Sequence, residues 1–282
     1  MLRKPHRGKF AKRYWQLKQP DREMTKKKRQ ALAITVILTV FIVKLFSETI
    51  NQYLWNDRAA PHFYWSISGQ ILYYLIPVLA VLFIFHKADN VFSELGLNQD
   101  FFRGLSIAFI FTLPMFIGYY LLGQYNNEYS LIKNICFAFK DGFREEIFYR
   151  AFLFGQLFRQ VKLGFIPAVA INGLIFGVSH LYQANNVGDS LGVFAVTFSG
   201  AIWFAWLYIE WNYNIWLPIF LHTLMNLYWD LFSTDKTAVG GLLLNLPRIL
   251  TIAISVYVTI KMTKKYFGRP KIDRTNLLRQ EN

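Results

Sequence analysis

Successive apolar runs, each about as long as a bilayer is thick, dominate this sequence. Hydrophobic residues make up 54% of the 282 residues, and charged residues only 17%. A bilayer core of about 30 Å is crossed by roughly 20 apolar residues in a helix, and soluble domains lack repeated runs of that length. The sequence therefore predicts an all-α fold: a polytopic membrane helix bundle.

About eight transmembrane helices are expected. They cover approximately Ala31–Ile50, Trp65–His86, Gly104–Gly123, Asp141–Val161, Phe165–Tyr182, Ser190–Ile209, Asn214–Phe232 and Gly241–Lys261. A lead-in helix over Leu131–Lys140, lying at the interface, is expected before the fourth. The chain then divides into a basic tail at 1–30, a single transmembrane domain at 31–261 and a second basic tail at 262–282.

The positive charge of the chain is concentrated at its two ends. The net charge is +14, and 12 of the 31 basic residues lie in Met1–Gln30, with seven more in Lys261–Asn282. Basic residues flanking membrane spans mark the cytoplasmic side, and they also attract anionic lipid. Both tails are therefore predicted to be cytoplasmic, in a multi-pass plasma membrane that we expect to be prokaryotic. Neither tail has a folded recognition motif, so nucleic acid is not an expected partner.

An even number of spans is needed to return both tails to one side. Four loops then face outward, and the only basic residues in them are Arg58 and Lys236. These loops are Asn51–Tyr64, Gln124–Ser130, Gln183–Asp189 and Ser233–Gly240. The single cysteine, Cys136, excludes an intramolecular disulfide and a cysteine-based metal cluster.

Two adjacent acids, Glu145 and Glu146, open the predicted fourth span. An ionised carboxylate in hydrocarbon costs at least about 2.5 kcal/mol, so each needs a partner or a task. Glu146 and Arg150 are four residues apart with the acid first, which favours an ion pair. Glu145 projects about 100° round the helix from Glu146 and is left for another role. A short salt-bridged helix end is the simpler alternative.

Two histidines lie in the outer halves of other predicted spans. His180 closes the fifth span, and His222 shares a helix face with Asn226 at i+4, a stripe that Asp230 continues at i+8. Singly, these residues are explained as a helix cap or as hydrogen-bonding contacts between helices. Together with the two acids, they gather at a similar depth. A carboxylate beside imidazole can deprotonate water, and imidazole with an amide can stabilise an oxyanion.

In these residues the chain resembles the CAAX prenyl protease and bacteriocin-immunity (Abi, or CPBP) family of intramembrane proteases. The family pattern is Glu-Glu-x-x-x-Arg, then Phe-x-x-x-His, then His-x-x-x-Asn. This chain has Glu145-Glu146-Ile147-Phe148-Tyr149-Arg150, then Phe176-Gly177-Val178-Ser179-His180, then His222-Thr223-Leu224-Met225-Asn226. The three motifs occur in the family order, each on a predicted span, and the resemblance covers about Lys140–Trp229.

The resemblance implies hydrolysis of a peptide bond in a membrane-associated peptide or protein substrate. Glu145 would activate water with help from His180, and His222 with Asn226 would stabilise the oxyanion. Glu146 and Arg150 would brace the site, while Asp230 lies outside the pattern.

The family is commonly classed as metalloproteases, but this chain has no His-Glu-x-x-His helix. Glu145, His180 and His222 are the residues that would ligate zinc if a metal binds. We favour a metal-free glutamate mechanism, and no cofactor is otherwise expected.

Two other classes of protein remain as alternatives. One is a catalytically idle membrane scaffold or bacteriocin self-immunity factor, against which the complete set of motif residues argues. The other is a transporter with buried acids and histidines as a relay. The inverted repeats and paired broken helices typical of transporters are not found in the sequence.

Overall fold

The computed structural model describes residues 24–55, 62–126, 130–232 and 238–280, and within them the fold is all-α. The described helices are α1 (Lys26–Trp55), α2 (His62–Phe85), α3 (Val91–Glu94), α4 (Phe101–Leu122), α5 (Leu131–Glu145), α6 (Phe165–Val178), α7 (Val187–Glu210), α8 (Trp216–Leu231) and α9 (Leu242–Phe267). Two π-helical stretches, π1 (Glu146–Phe154) and π2 (Gln156–Gln160), follow α5. The predicted all-α membrane bundle is confirmed.

Six of these helices are long and apolar enough to cross a membrane: α1, α2, α4, α6, α7 and α9. The other two predicted spans correspond to α5 with its π continuation and to α8. With 16 residues, α8 is only about 24 Å long, shorter than the bilayer core. The α5–π helix carries several charged residues. The predicted number of eight therefore matches the long helical segments, but two of them are atypical spans.

The fourth predicted span differs most from the expectation. A separate lead-in helix over Leu131–Lys140 is wrong, because α5 continues unbroken through Glu145 and into π1. In π1 the N–H of Gly155 donates to the carbonyl of Arg150, five residues earlier. Such i→i−5 bonding is rare and is found mostly at functional sites.

The π1 stretch lies at the centre of the bundle. All nine of its residues are buried, and its apolar members belong to a core cluster with α1, α2, α6 and α7. A stretch that is apolar apart from one ion pair, Glu146 and Arg150, fits such a position. Around it, α4 packs on α8 and α9, α5 packs on α8, and α6 packs on α7. Helices α1, α2, α5, α6, α7 and α8 contact π1 itself and surround Glu146 and Arg150 with protein.

Hydrogen bonds tie the connecting segments together at each end of the bundle. At one end, Gln124 and Asn126 donate to the carbonyls of Phe232 and Leu231. At the other, the start of α6 meets the C-terminal segment, and Phe165 N–H donates to Asn276 O at 2.8 Å. The segments expected outside and inside are thus grouped at separate ends. Residues 1–23, Arg58 and Lys236 lie outside the described residues.

The C-terminal region is more ordered than a simple tail. Helix α9 extends to Phe267 rather than ending near Lys261. The following residues return to the bundle, where the backbone N–H groups of Lys271 and Ile272 donate to the carboxylate of Glu210. We call residues 268–280 the C-terminal segment.

Candidate active site

The two adjacent glutamates separate at the junction of α5 and π1. Glu145 is the last residue of α5 and Glu146 the first of π1. The side chain of Glu146 is fully buried, whereas that of Glu145 is 13% exposed and lines a cavity. The helix therefore directs one carboxylate into the core and the other into open space.

Glu146 has two partners. One carboxylate oxygen lies 3.1 Å from Nε of Arg150, the ion pair that the i, i+4 spacing predicts. The other lies 2.7 Å from Nδ1 of His222 on α8. Arg150 is itself buried, and its guanidinium lies over the ring of Phe176 at 4.2 Å. A buried charge is tolerated when paired in this way, and removing one partner of such a pair is costly.

His180 is fixed by the backbone of its own turn. It follows the end of α6, and its Nδ1 lies 2.7 Å from the carbonyl oxygen of Phe176. Because a carbonyl only accepts hydrogen bonds, this contact assigns a proton to Nδ1, and in the neutral imidazole Nε2 then has the lone pair. That Nε2 lies 3.7 Å from Oε2 of Glu145. The Phe-x-x-x-His spacing thus sets the ring orientation.

His222 faces the same carboxylate oxygen from a different helix. Its Nε2 lies 4.0 Å from Oε2 of Glu145. Separations of 3.7 and 4.0 Å exceed a direct hydrogen bond and suit a bridging water. Three side chains from α5, from the turn after α6 and from α8 therefore converge on one point.

The second oxygen of Glu145 is held by Arg144, to which the sequence analysis gave no role. Nη2 of Arg144 lies 2.9 Å from Oε1 of Glu145 and 3.0 Å from the carboxylate of Asp141. Nη1 of Arg144 donates to Gln70 on α2. The sequence contains a local signal for part of this arrangement, since Asp141 and Arg144 are three residues apart on α5, a spacing that favours an ion pair. This arrangement turns Oε2 toward the histidines.

A cavity of about 260 Å³ adjoins these groups. Glu145, His180, His222 and Asn226 all line it, and so does Arg150. Asp230, although on the same predicted stripe, is exposed and does not line the cavity. The six motif residues are therefore brought together, and Asp230 is not.

Arg248, to which the sequence analysis gave no role, holds the rim of the cavity. Ala238 lines the cavity, and its N–H donates to the side-chain oxygen of Gln183 at 3.0 Å. Arg248 on α9 donates to the carbonyls of Ala238 and Val239 at 2.8 and 3.0 Å. The half-buried Arg248 thus fastens a loop beside the cavity.

The donors that zinc would use are present, but their spacing does not fit a bound ion. Tetrahedral zinc with bonds of about 2.0–2.1 Å brings its donors to within roughly 3.4 Å of each other. Oε2 of Glu145 lies 3.7 Å from Nε2 of His180 and 4.0 Å from Nε2 of His222. Within the described ranges, no three His, Cys, Asp or Glu residues form a metal-binding group. The metal-free mechanism stays a prediction.

Residues 127–228 match the family model of Rce1-like type II CAAX prenyl endopeptidases. The matched region is roughly a third of the chain, and all six motif residues lie inside it. No curated protein matches the chain. The resemblance to CAAX prenyl proteases is confirmed, and this similarity implies intramembrane protease activity. The bacteriocin-immunity connection stays a prediction.

Proposed function

We propose that this protein is an intramembrane endopeptidase that hydrolyses a peptide bond of a membrane-associated peptide or protein. One observation carries the proposal: Oε2 of Glu145 faces Nε2 of both His180 and His222, at 3.7 and 4.0 Å, within a cavity of a membrane helix bundle. The similarity of residues 127–228 to CAAX prenyl endopeptidases supports it.

Glu145 acts as the general base. A water between Glu145 and His180 donates one proton toward Oε2 and the other toward the lone pair of Nε2. Its oxygen then attacks the scissile carbonyl carbon as Glu145 takes the proton. The leaving amine receives that proton from Glu145 when the C–N bond breaks. Arg144 supports this role because it holds the carboxylate through Oε1, leaving Oε2 for water.

The oxyanion is stabilised from α8. His222 donates its Nδ1 proton to Glu146, so it can donate to an oxyanion only through a protonated Nε2. In this role it acts as an imidazolium, which lies between the carboxylates of Glu146 and Glu145. Asn226, one turn further along α8 and lining the same cavity, contributes an amide N–H. Glu146 and Arg150 keep this arrangement in place.

The proposed setting is a prokaryotic plasma membrane with both termini in the cytoplasm. Such an orientation follows from the basic residues at the two ends of the chain. The site then opens toward the non-cytoplasmic end of the bundle. Gln183, before α7, and Ala238, before α9, meet beside it. The substrate class includes peptides that end in a lipid-modified cysteine motif.

The test is peptide cleavage in proteoliposomes. Membrane-anchored peptides with farnesylated or unmodified C-terminal Cys-a-a-X sequences would be incubated with the purified protein, and the products read by mass spectrometry. Glu145→Gln should abolish turnover while the protein folds normally. The matched control is Glu48→Gln, the same change at an exposed position of α1, which should keep full activity.

The same assay tests the role of metal. Activity that persists after exhaustive chelation, with no zinc by elemental analysis, is the expected result. Activity lost on chelation and restored by zinc would contradict the metal-free mechanism. Full activity of Glu145→Gln would overturn the proposed chemistry, and no cleavage of any peptide by the wild-type protein would favour the scaffold alternative.

A further inference from the structure

A basic groove lies at the end of the bundle where α1 and α6 begin. It has a volume of about 1100 Å³ and is lined by residues at the start of α1, in the turn before α6 and in the C-terminal segment. Its basic lining residues are Lys26, Arg29, Lys162, Arg274 and Arg279. Among the described residues, no aspartate or glutamate lines it. The groove therefore has a strong preference for anions.

One wall of the basic groove is built by specific contacts of the C-terminal segment. The N–H groups of Phe165 and Ile166 donate to the carbonyls of Asn276 and Leu277, both at 2.8 Å. Gln280 donates through Nε2 to the carbonyls of Phe158 and Leu163. These contacts hold Arg274 and Arg279 opposite the start of α1.

Gly164 shows how closely the wall fits. A Cβ at this position would lie 2.1 Å from the carbonyl carbon of Leu278, so only glycine allows the approach. The C-terminal segment is therefore packed against the bundle, and its cations have a defined place.

The basic groove also has apolar surface. Ile166 is 48% exposed and Leu278 is 72% exposed, and both line the groove. Lys26 and Ile166 lie at the first turns of two candidate membrane spans. Cations and exposed apolar side chains at the end of membrane helices match a ligand with an anionic head and an apolar body. The volume is also slightly above the roughly 300–1,000 Å³ of small-molecule sites, and far larger than a phosphate ion needs.

We propose that the basic groove binds the phosphate headgroup of an anionic phospholipid. Basic pockets between membrane helices on the cytoplasmic side bind such headgroups. The groove is separate from the cavity of Glu145, because α6 lies between them. Ile166 lines the groove and His180 lines the cavity, and the two residues are roughly 20 Å apart along the axis of α6 and its following turn. The proposal is thus independent of the proteolytic function.

The experiment is a lipid titration of the purified full-length protein in detergent, read by native mass spectrometry. Three probes are used: phosphatidylglycerol as the anionic lipid, phosphatidylcholine as the zwitterionic comparison and inorganic phosphate as a soluble competitor. The wild-type protein should bind phosphatidylglycerol at least tenfold more tightly than phosphatidylcholine. The double variant Arg274→Gln/Arg279→Gln should bind phosphatidylglycerol about 30-fold more weakly, as expected for two basic side chains.

Two further variants keep the test specific. Lys264→Gln/Lys265→Gln removes the same charge from exposed positions at the end of α9, outside the groove, and should keep wild-type affinity. Arg274→Lys/Arg279→Lys preserves both charges and should also keep binding. A loss of affinity in the lysine-substituted pair would attribute the effect to damage of the segment and overturn the proposal.

The remaining outcomes also decide the matter. Equal affinity for the two lipids, or unchanged affinity in Arg274→Gln/Arg279→Gln, would overturn the proposal. So would an equal loss in Lys264→Gln/Lys265→Gln, because binding would then follow net charge alone. Displacement of the lipid by millimolar inorganic phosphate would make the groove a site for a soluble anion instead.

Discussion

Nδ1 of His222 lies 2.7 Å from the carboxylate of Glu146, which is fully buried. The two residues are 76 positions apart in the chain. This contact joins α8 to π1 and gives the second glutamate of the pair a partner besides Arg150. It connects the buried ion pair of Glu146 and Arg150 with a histidine that lines the cavity.

Replacing Glu146 should reduce stability as well as activity. Glu146→Gln leaves Arg150 buried without its anion, at a cost of about 3–5 kcal/mol. The melting temperature in detergent should fall by roughly 6–15 °C, and turnover should be lost because His222 is no longer oriented. Glu145→Gln is the matched control, with turnover lost and the melting temperature nearly unchanged. A wild-type melting temperature for Glu146→Gln would contradict the structural role.

Asn226 is expected to act on the rate alone. Asn226→Ala should lower kcat about 10²–10³-fold, the loss typical of one missing oxyanion donor, with KM little changed. The control is Asp230→Asn on the same helix, exposed and outside the cavity, which should leave both constants unchanged. If Asn226 only joined helices, Asn226→Ala would lower the melting temperature while kcat per folded molecule persisted. Both quantities would be measured on one preparation.

The orientation in the membrane can be read with single cysteines. Cys136 is half-buried, so the probes are placed in a Cys136→Ser background. Asn185→Cys is exposed near the candidate active site, and Lys27→Cys is exposed near the basic groove. A membrane-impermeant maleimide should label Asn185→Cys on intact cells and Lys27→Cys only after permeabilisation. The reverse pattern would place the site on the cytoplasmic side.

Docking of the C-terminal segment should depend on pH through Lys271. Burial lowers the pKa of Lys271 to about 8, from 10.5 when the side chain is exposed. Between these values the docked segment binds fewer protons than the undocked one, so docking strengthens as the pH rises from about 8 to 10.5 and weakens as it falls. Hydrogen-exchange protection factors of the Lys271 and Ile272 amides, corrected for the intrinsic rate, should increase over this range.

The control for this effect is Lys271→Met. It removes the titrating group while the two backbone N–H groups can still donate to Glu210. Its protection factors should not vary with pH in this window. A wild-type protection factor that fell between pH 8 and 10.5 would contradict the buried, weakly basic state of Lys271.

The sequence by itself determined the class of fold and the Glu146–Arg150 pair. Apolar runs of bilayer length are read directly, because the cost of exposing a backbone to lipid leaves the helix as the main solution for such runs. The i, i+4 spacing of Glu146 and Arg150 is equally local. The ion pair that it predicts is present in π1, where Nε of Arg150 lies 3.1 Å from the carboxylate of Glu146. Spacing also singled out His180, His222 and Asn226 as polar residues that needed a partner or a task.

Tertiary structure decided what each of these residues faces. The π-helical geometry from Glu146 onward, the contact of Glu146 with His222 and the hold of Arg248 on Ala238 were not predicted. Each depends on how helices distant in sequence pack, and helical periodicity carries no information about the neighbouring helix. The C-terminal segment shows the same limit. Its basic residues read as a tail, yet hydrogen bonds to Glu210 and to the start of α6 fix it against the bundle.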